Sequence, residues 1–142
     1  MANIVPDSFK SDLLGGVFDF DSGGSTFKLA LYTDISGFST STTAYTTSNE
    51  VSSAGTNYTA GGNTLTNNGV AIASNIAYVD FADLTFSSVT LTADSALIYK
   101  DTSNEAVLVL DFGGDKTATN GDFVIQFPTA DATNAIIRLG DA

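Results

Sequence analysis

The chain has 142 residues, the size of one domain able to bury about 70% of the surface its unfolded form exposes. Sixteen Asp and Glu against five Lys and Arg give a net charge of -11, a balance that repels nucleic acid and anionic membrane surfaces. His, Cys and Trp are all absent, which removes thiol chemistry, disulfides, Cys or His zinc sites and every catalytic triad that runs through imidazole.

The N-terminal MANIVPDSFK places Pro6 and Asp7 where a secretory leader needs a basic start and an apolar run. The chain is therefore expected to stay in the compartment that makes it, and the sequon Asn57-Tyr58-Thr59 reads as chance. Pro6 suits a first helical turn, Asp7 favours its positive end, Phe9 and Leu13 share a face, and Gly15-Gly16 can end it. That pattern predicts a helix of about two turns, too short to hold itself in water, so it must pack on its own domain or on a partner. Residues 1–16 are read as an N-terminal arm and 17–142 as a single β domain.

From Val17 the period becomes two. In Ser25–Thr33, Phe27, Leu29 and Leu31 face one way and Lys28, Ala30 and Tyr32 the other, the alternation of a half-buried strand. Val17–Phe20 is its expected hairpin partner, turned by Asp21-Ser22-Gly23-Gly24. Residues 35–70 are rich in Ser, Thr, Asn and Gly, with one predicted strand around Asn63–Thr66. The scattered Phe38, Tyr45 and Tyr58 favour an ordered segment over a free linker.

Further strands are predicted at Ile76–Phe81, Leu84–Phe86, Val89–Leu91, Leu97–Tyr99, Glu105–Phe112, Phe123–Phe127 and Ala135–Leu139. Turns are predicted at Asp101–Asn104, Gly113–Lys116 and Asn120-Gly121. Short strands at spacings of about ten residues predict an all-β fold: a β-sandwich, jelly-roll-like or immunoglobulin-like, or a partly open barrel.

The chemical motifs dissolve on inspection. Asp19-Phe20-Asp21-Ser22-Gly23-Gly24 begins like a calcium loop, but Gly stands fifth and Ala30 twelfth, so the bidentate glutamate is missing. Asp111-Phe112-Gly113 copies a kinase tripeptide without the accompanying loops, and neither Gly61-Gly62 nor Gly113-Gly114-Asp115-Lys116 has phosphate-loop spacing. Most of the acids sit at turns (Asp21, Asp101, Asp115) or on polar faces (Asp80, Asp111), and no spacing singles out a pair for glycoside hydrolysis. No catalytic residue, cofactor or metal site is assigned.

The segments NIVPDSFKSDLLGGVFDF, STFKLALYT, AYTTSNEV, NYTAGGNTLTN, AYVDFADLTFSS, ALIY, VLDFGGDKTATNGDFVIQFP and NAIIRLG occur in that order along nearly the whole chain. This order resembles a family of small virion structural proteins of tailed bacteriophages. The resemblance implies a non-enzymatic particle component, with head decoration (cement) the favoured role. It also implies a place on the capsid exterior after synthesis in the host cytoplasm, and the major capsid protein as partner. Neither nucleic acid nor membrane is an expected partner. The alternative role is a tail or tail-tip module that binds a receptor or carbohydrate.

The near-continuous apolar run Ala106–Leu110 is a strand whose edge would need cover, and decoration sites lie on symmetry axes, so the resemblance implies a homo-oligomer, trimer or dimer, at least on the particle. Phe9, Leu13, Phe38 and Tyr45, in the arm and the central segment, are the predicted protein-interface residues. Burial of each against its own domain is the equal alternative.

Overall fold

The computed structural model describes residues 2–141. Strand accounts for 46% and helix for 8% of the chain, so the expected all-β class holds. In chain order the elements are α1 (Asp7–Leu14), β1 (Phe27–Tyr32), a 3-10 turn (Ile35–Gly37), β2 (Asn63–Thr64), β3 (Asn67–Ala73), β4 (Ile76–Phe81), β5 (Leu84–Lys100), β6 (Ala106–Ile125) and β7 (Ile137–Leu139). One sheet runs β2-β1-β5-β6 and the other β3-β4-β7, with antiparallel neighbours throughout. Phe27 and Leu29 of the first sheet share one core with Val79 and Phe81 of the second, which makes the architecture a sandwich.

Helix α1 forms where expected. Pro6 precedes it, Gly15 N–H closes on Ser11 O at 2.9 Å, and Gly16 at φ 80° carries the chain away in a conformation that suits glycine. It does not project as an arm. Phe9 is only 4% exposed and its ring meets Phe18 at 5.2 Å and Phe20 at 6.1 Å, while Phe20 stacks on Phe27 at 4.6 Å. A two-turn helix gains its order from this aromatic cluster, so it serves as a lid on the sandwich.

Val17–Phe20 is not a strand. Its rings are consumed by the same cluster, Lys100 Nζ donates to Val17 O at 2.8 Å, and β1 takes β2 and β5 as ladder partners instead. The turn after it is real: Asp19 Oδ1 accepts the Asp21 N–H at 3.0 Å, and a Cβ on Gly24 would fall 2.5 Å from the Asp19 carboxyl carbon. This carboxylate braces a turn, the work that the calcium-loop spelling imitates.

β1 is buried on both faces. Phe27, Leu29 and Leu31 enter the main core, whereas Ala30 and Tyr32 join a second cluster with Phe38, Leu97, Tyr99, Ala106 and Val109. The alternation in the sequence expects a solvated back face, and the irregular segment 38–46 covers it.

The later short strands fuse into two long ones. β5 and β6 pair from Leu84↔Ile125 to Tyr99↔Ala106, joined by the predicted Asp101–Asn104 turn. The predicted turns at Gly113–Lys116 and Asn120-Gly121 are β-bulges. Between Ala93↔Lys116 and Ser95↔Asp111 one residue of β5 faces four of β6, and Gly113 and Gly114 take φ 73° and 129° there. Positive-φ residues mark turns and bulges alike, because both need the same local backbone.

Candidate interaction surface

The central segment is ordered around one carboxylate. Glu50 is the only charged residue between Asp34 and Asp80. Its Oε1 accepts from Tyr58 OH at 2.8 Å and from Gly61 N–H at 2.6 Å, and its Oε2 accepts from Tyr45 OH at 2.7 Å. Tyr58 Oη also receives the Leu31 N–H at 3.0 Å, and Tyr99 OH donates to Gly61 O at 2.6 Å. Gly62 lies so close to β1 that a Cβ would sit 1.8 Å from Leu29 O, and it holds φ 75°. The Gly61-Gly62 pair therefore permits close backbone approach; it cradles no phosphate.

Burial, then the neighbouring carboxylate, pushes the Tyr58 and Tyr45 phenols up. Burial raises Tyr32 as well, and burial with Asp101 and Glu50 lifts Tyr99 to about 12. All four stay neutral donors at physiological pH. Both Glu50 oxygens are occupied by donors, so this cluster is a clamp on the segment.

Several other acids also accept backbone N–H groups. Asp83 Oδ1 accepts the Phe127 N–H, Asp94 Oδ2 the Ile35 N–H and Asp122 Oδ1 the Ser88 N–H. Asp131 accepts from Thr133 and Asn134, contacts that hold its carboxyl down at about 2. Asp111 accepts the Gly113 N–H at 2.8 Å, which lowers its carboxyl too. Among the described residues no group of three or more acids converges as a metal site would require.

Two concavities flank the C-terminal segment at Ile136. An open cleft of about 600 Å³ has a mixed lining that includes Asp111, Lys116, Asp122 and Phe123. A smaller groove of about 290 Å³ between α1, β6 and β7 is mostly apolar, with Leu13, Leu14, Val107, Ile137 and Leu139 in its walls. Leu14 is 84% exposed, and Leu139 is exposed as well.

The four predicted interface residues part company here. Phe9 and Phe38 are buried in their own domain, and Tyr45 is half-buried, stacked on Tyr99 at 4.7 Å and bonded to Glu50. For these three the alternative of intramolecular burial is what the fold shows. Leu13 is half-buried in the groove wall, next to free surface.

The edge argument also changes. β6 is outermost in its sheet, but its Ala106–Leu110 stretch is covered by the chain itself. Ile4 and Val109 exchange both backbone bonds at 2.9 Å, and Ala106 N–H donates to Thr43 O at 3.0 Å. Sequence reasoning missed Val70 and Ile72, which β3 leaves exposed. The signal was present: GVAIA and IAYVDF flank the two-residue turn Ser74-Asn75, a hairpin spacing without the usual Asn-Gly.

No protein-family model, curated protein or solved structure matches the chain. Among the described residues no helix is long and apolar enough to cross a membrane.

Proposed function

We propose that the protein is a non-enzymatic structural component of a tailed-phage particle: a decoration (cement) protein on the capsid exterior that stabilises contacts between capsomers. Its partners on this reading are the major capsid protein and further copies of itself. The observation that carries the non-enzymatic part is the employment of carboxylates as backbone acceptors at Glu50, Asp83, Asp94, Asp111, Asp122 and Asp131. An oxygen that accepts a backbone N–H is spent on holding the chain in place, which supports a structural use of these acids. The apolar groove beside α1 supplies a surface on which a shell protein can bury side chains.

The test is co-sedimentation with capsid shells stripped of the native protein. Leu14→Asp with Leu139→Asp, both at exposed positions, is expected to weaken attachment while circular dichroism stays unchanged. Undiminished attachment moves the contact away from the groove. Failure of the unaltered protein to bind shells, with binding to tails, selects the tail role. Polysaccharide or peptide hydrolysis that vanishes on changing one acid, with fold retained, ends the non-enzymatic reading.

A further inference from the structure

The β3–β4 hairpin carries an edge that, from Val70 to Ala73, no described residue bonds from outside the ladder. β3 is outermost in β3-β4-β7, and among the described residues no hydrogen bond outside the ladder reaches residues 70–76. Ser74 and Asn75, at φ 50° and 63°, form a two-residue turn closed by the Ala73↔Ile76 pair. Ladder bonds in antiparallel pairs fall on alternate residues. With Ala73 and Ala71 turned toward Ile76 and Tyr78, the N–H and C=O groups of Val70 and Ile72 point off the free edge. These are the two large apolar residues that β3 exposes, at 46% and 76%.

Charge selects the occupant. A second copy also carries -11, so contact between acidic surfaces is opposed at long range. Residues 51–79 contain no Asp, Glu, Lys or Arg; the acids that border the strand lie at its start, where Asp80 accepts from Asn68 Nδ2 at 2.9 Å and Asp21 O from Asn67 Nδ2 at 3.4 Å. The strand also lacks the lysine or proline that commonly blunts an open edge. Over Val70–Ala73 two copies of this acidic chain can meet without like charges directly opposed.

We infer that β3 pairs antiparallel with β3 of a second copy about a two-fold axis, joining the two three-stranded sheets into one. Placing both outward-pointing residues of each copy in the ladder gives the inferred register: Val70 lies opposite Ile72 of the second copy, Ile72 opposite its Val70, and Ala71 faces Ala71 across the axis. Ala71 is then a non-hydrogen-bonded pair, the closer kind, and its small side chain suits that approach. The inference does not depend on the particle role, because the dimer is a property of the free protein.

The chain has no cysteine, so one introduced thiol is a clean probe. Ala71→Cys is expected to form a covalent dimer on mild oxidation, since a close antiparallel pair matches disulfide Cα spacing. Leu14→Cys, also exposed but in the groove on the β7 side, serves as the collision control. In sedimentation velocity the unaltered protein is expected to dimerise, more tightly as salt screens the long-range repulsion. Ile72→Lys is expected to weaken the dimer about a hundredfold, by setting an ammonium group against an apolar strand edge. The inference is overturned by a monomer at every concentration, by an Ile72→Lys variant that dimerises like the parent, or by Ala71→Cys linking no faster than the control. Shell co-sedimentation is scored separately, so loss of the dimer and loss of attachment are distinct failures.

Discussion

The outer edges of β6 and β3 begin as the same problem and end differently. Both are apolar strands with one row of backbone groups unpaired by their own sheet. β6 is sealed from both ends of its apolar run: Asn3 and Ile4 bond Asp111 and Val109, and Thr43 bonds Ala106. Val109 is consequently fully buried, whereas Ile72 on β3 is 76% exposed. The difference lies in which loops reach each edge. The segments that seal β6 are anchored elsewhere, the first by Pro6 and Phe9 in the core and the second by Tyr45 on Glu50. An edge is closed in this protein by irregular chain that owns an aromatic anchor; the one such segment at β3, Phe20–Ser22, meets Asn67 and Gly69, and among the described residues none bonds Val70–Ala73 outside the ladder.

The sharpest way to break the contrast is a charge at matched positions. Val109→Lys buries an unpaired ammonium between β6 and the N-terminal segment, and an uncompensated buried charge costs about 3 to 5 kcal/mol. That loss should leave most of the chain unfolded or insoluble on expression, as read by circular dichroism and solubility. Next comes the anchor of the seal. Phe9→Ala removes a ring from the aromatic cluster, with an expected loss of about 3 to 4 kcal/mol in urea denaturation. Deletion of residues 1–14 should cost more than the ring alone, because it uncovers the β6 edge as well; a truncated protein that stays soluble and fully stable shows that the seal is dispensable.

The second seal is tested at Glu50. Glu50→Ala leaves Tyr45 OH, Tyr58 OH and Gly61 N–H without their acceptor, an expected loss of about 2 to 3 kcal/mol. The same cluster sets an alkaline limit. Tyr32, Tyr45, Tyr58 and Tyr99 all have phenols raised above their usual 10.0. Their contribution is fully present below pH 10 and is lost as pH rises toward and beyond the value of about 12 held by Tyr99. The urea midpoint should therefore fall steeply above pH 10, with tyrosinate absorbance appearing together with unfolding. A midpoint that stays level to pH 12 contradicts the buried clamp.

The smallest effect belongs to the open edge. Ile72→Lys should change the stability of the folded monomer by less than about 0.5 kcal/mol, as exposed substitutions do. A large loss there means that Ile72 already packs on its own chain, and the contrast between the two edges collapses.

Residue order by itself determined the β class, the helix at Asp7–Leu14, the strand at Ile76–Phe81 and the turn at Asp101–Asn104. These follow from periodicity and turn chemistry, which are local. It also marked Phe9, Leu13, Phe38 and Tyr45 as apolar groups in need of cover, and all four do pack on their own domain to some degree. What covers them was decided by the tertiary structure. A ring buries the same surface against its own sheet as against a partner, so hydrophobicity carries no address. The fusion of short strands into β5 and β6 escaped prediction because a bulge and a turn share their glycines and positive-φ residues. The charge-free run 51–79 could be read directly from the sequence, but only the pairing of β3 with β4 placed part of it on an uncovered edge. Ladder order is a long-range property, fixed by which strands find each other after the local elements form.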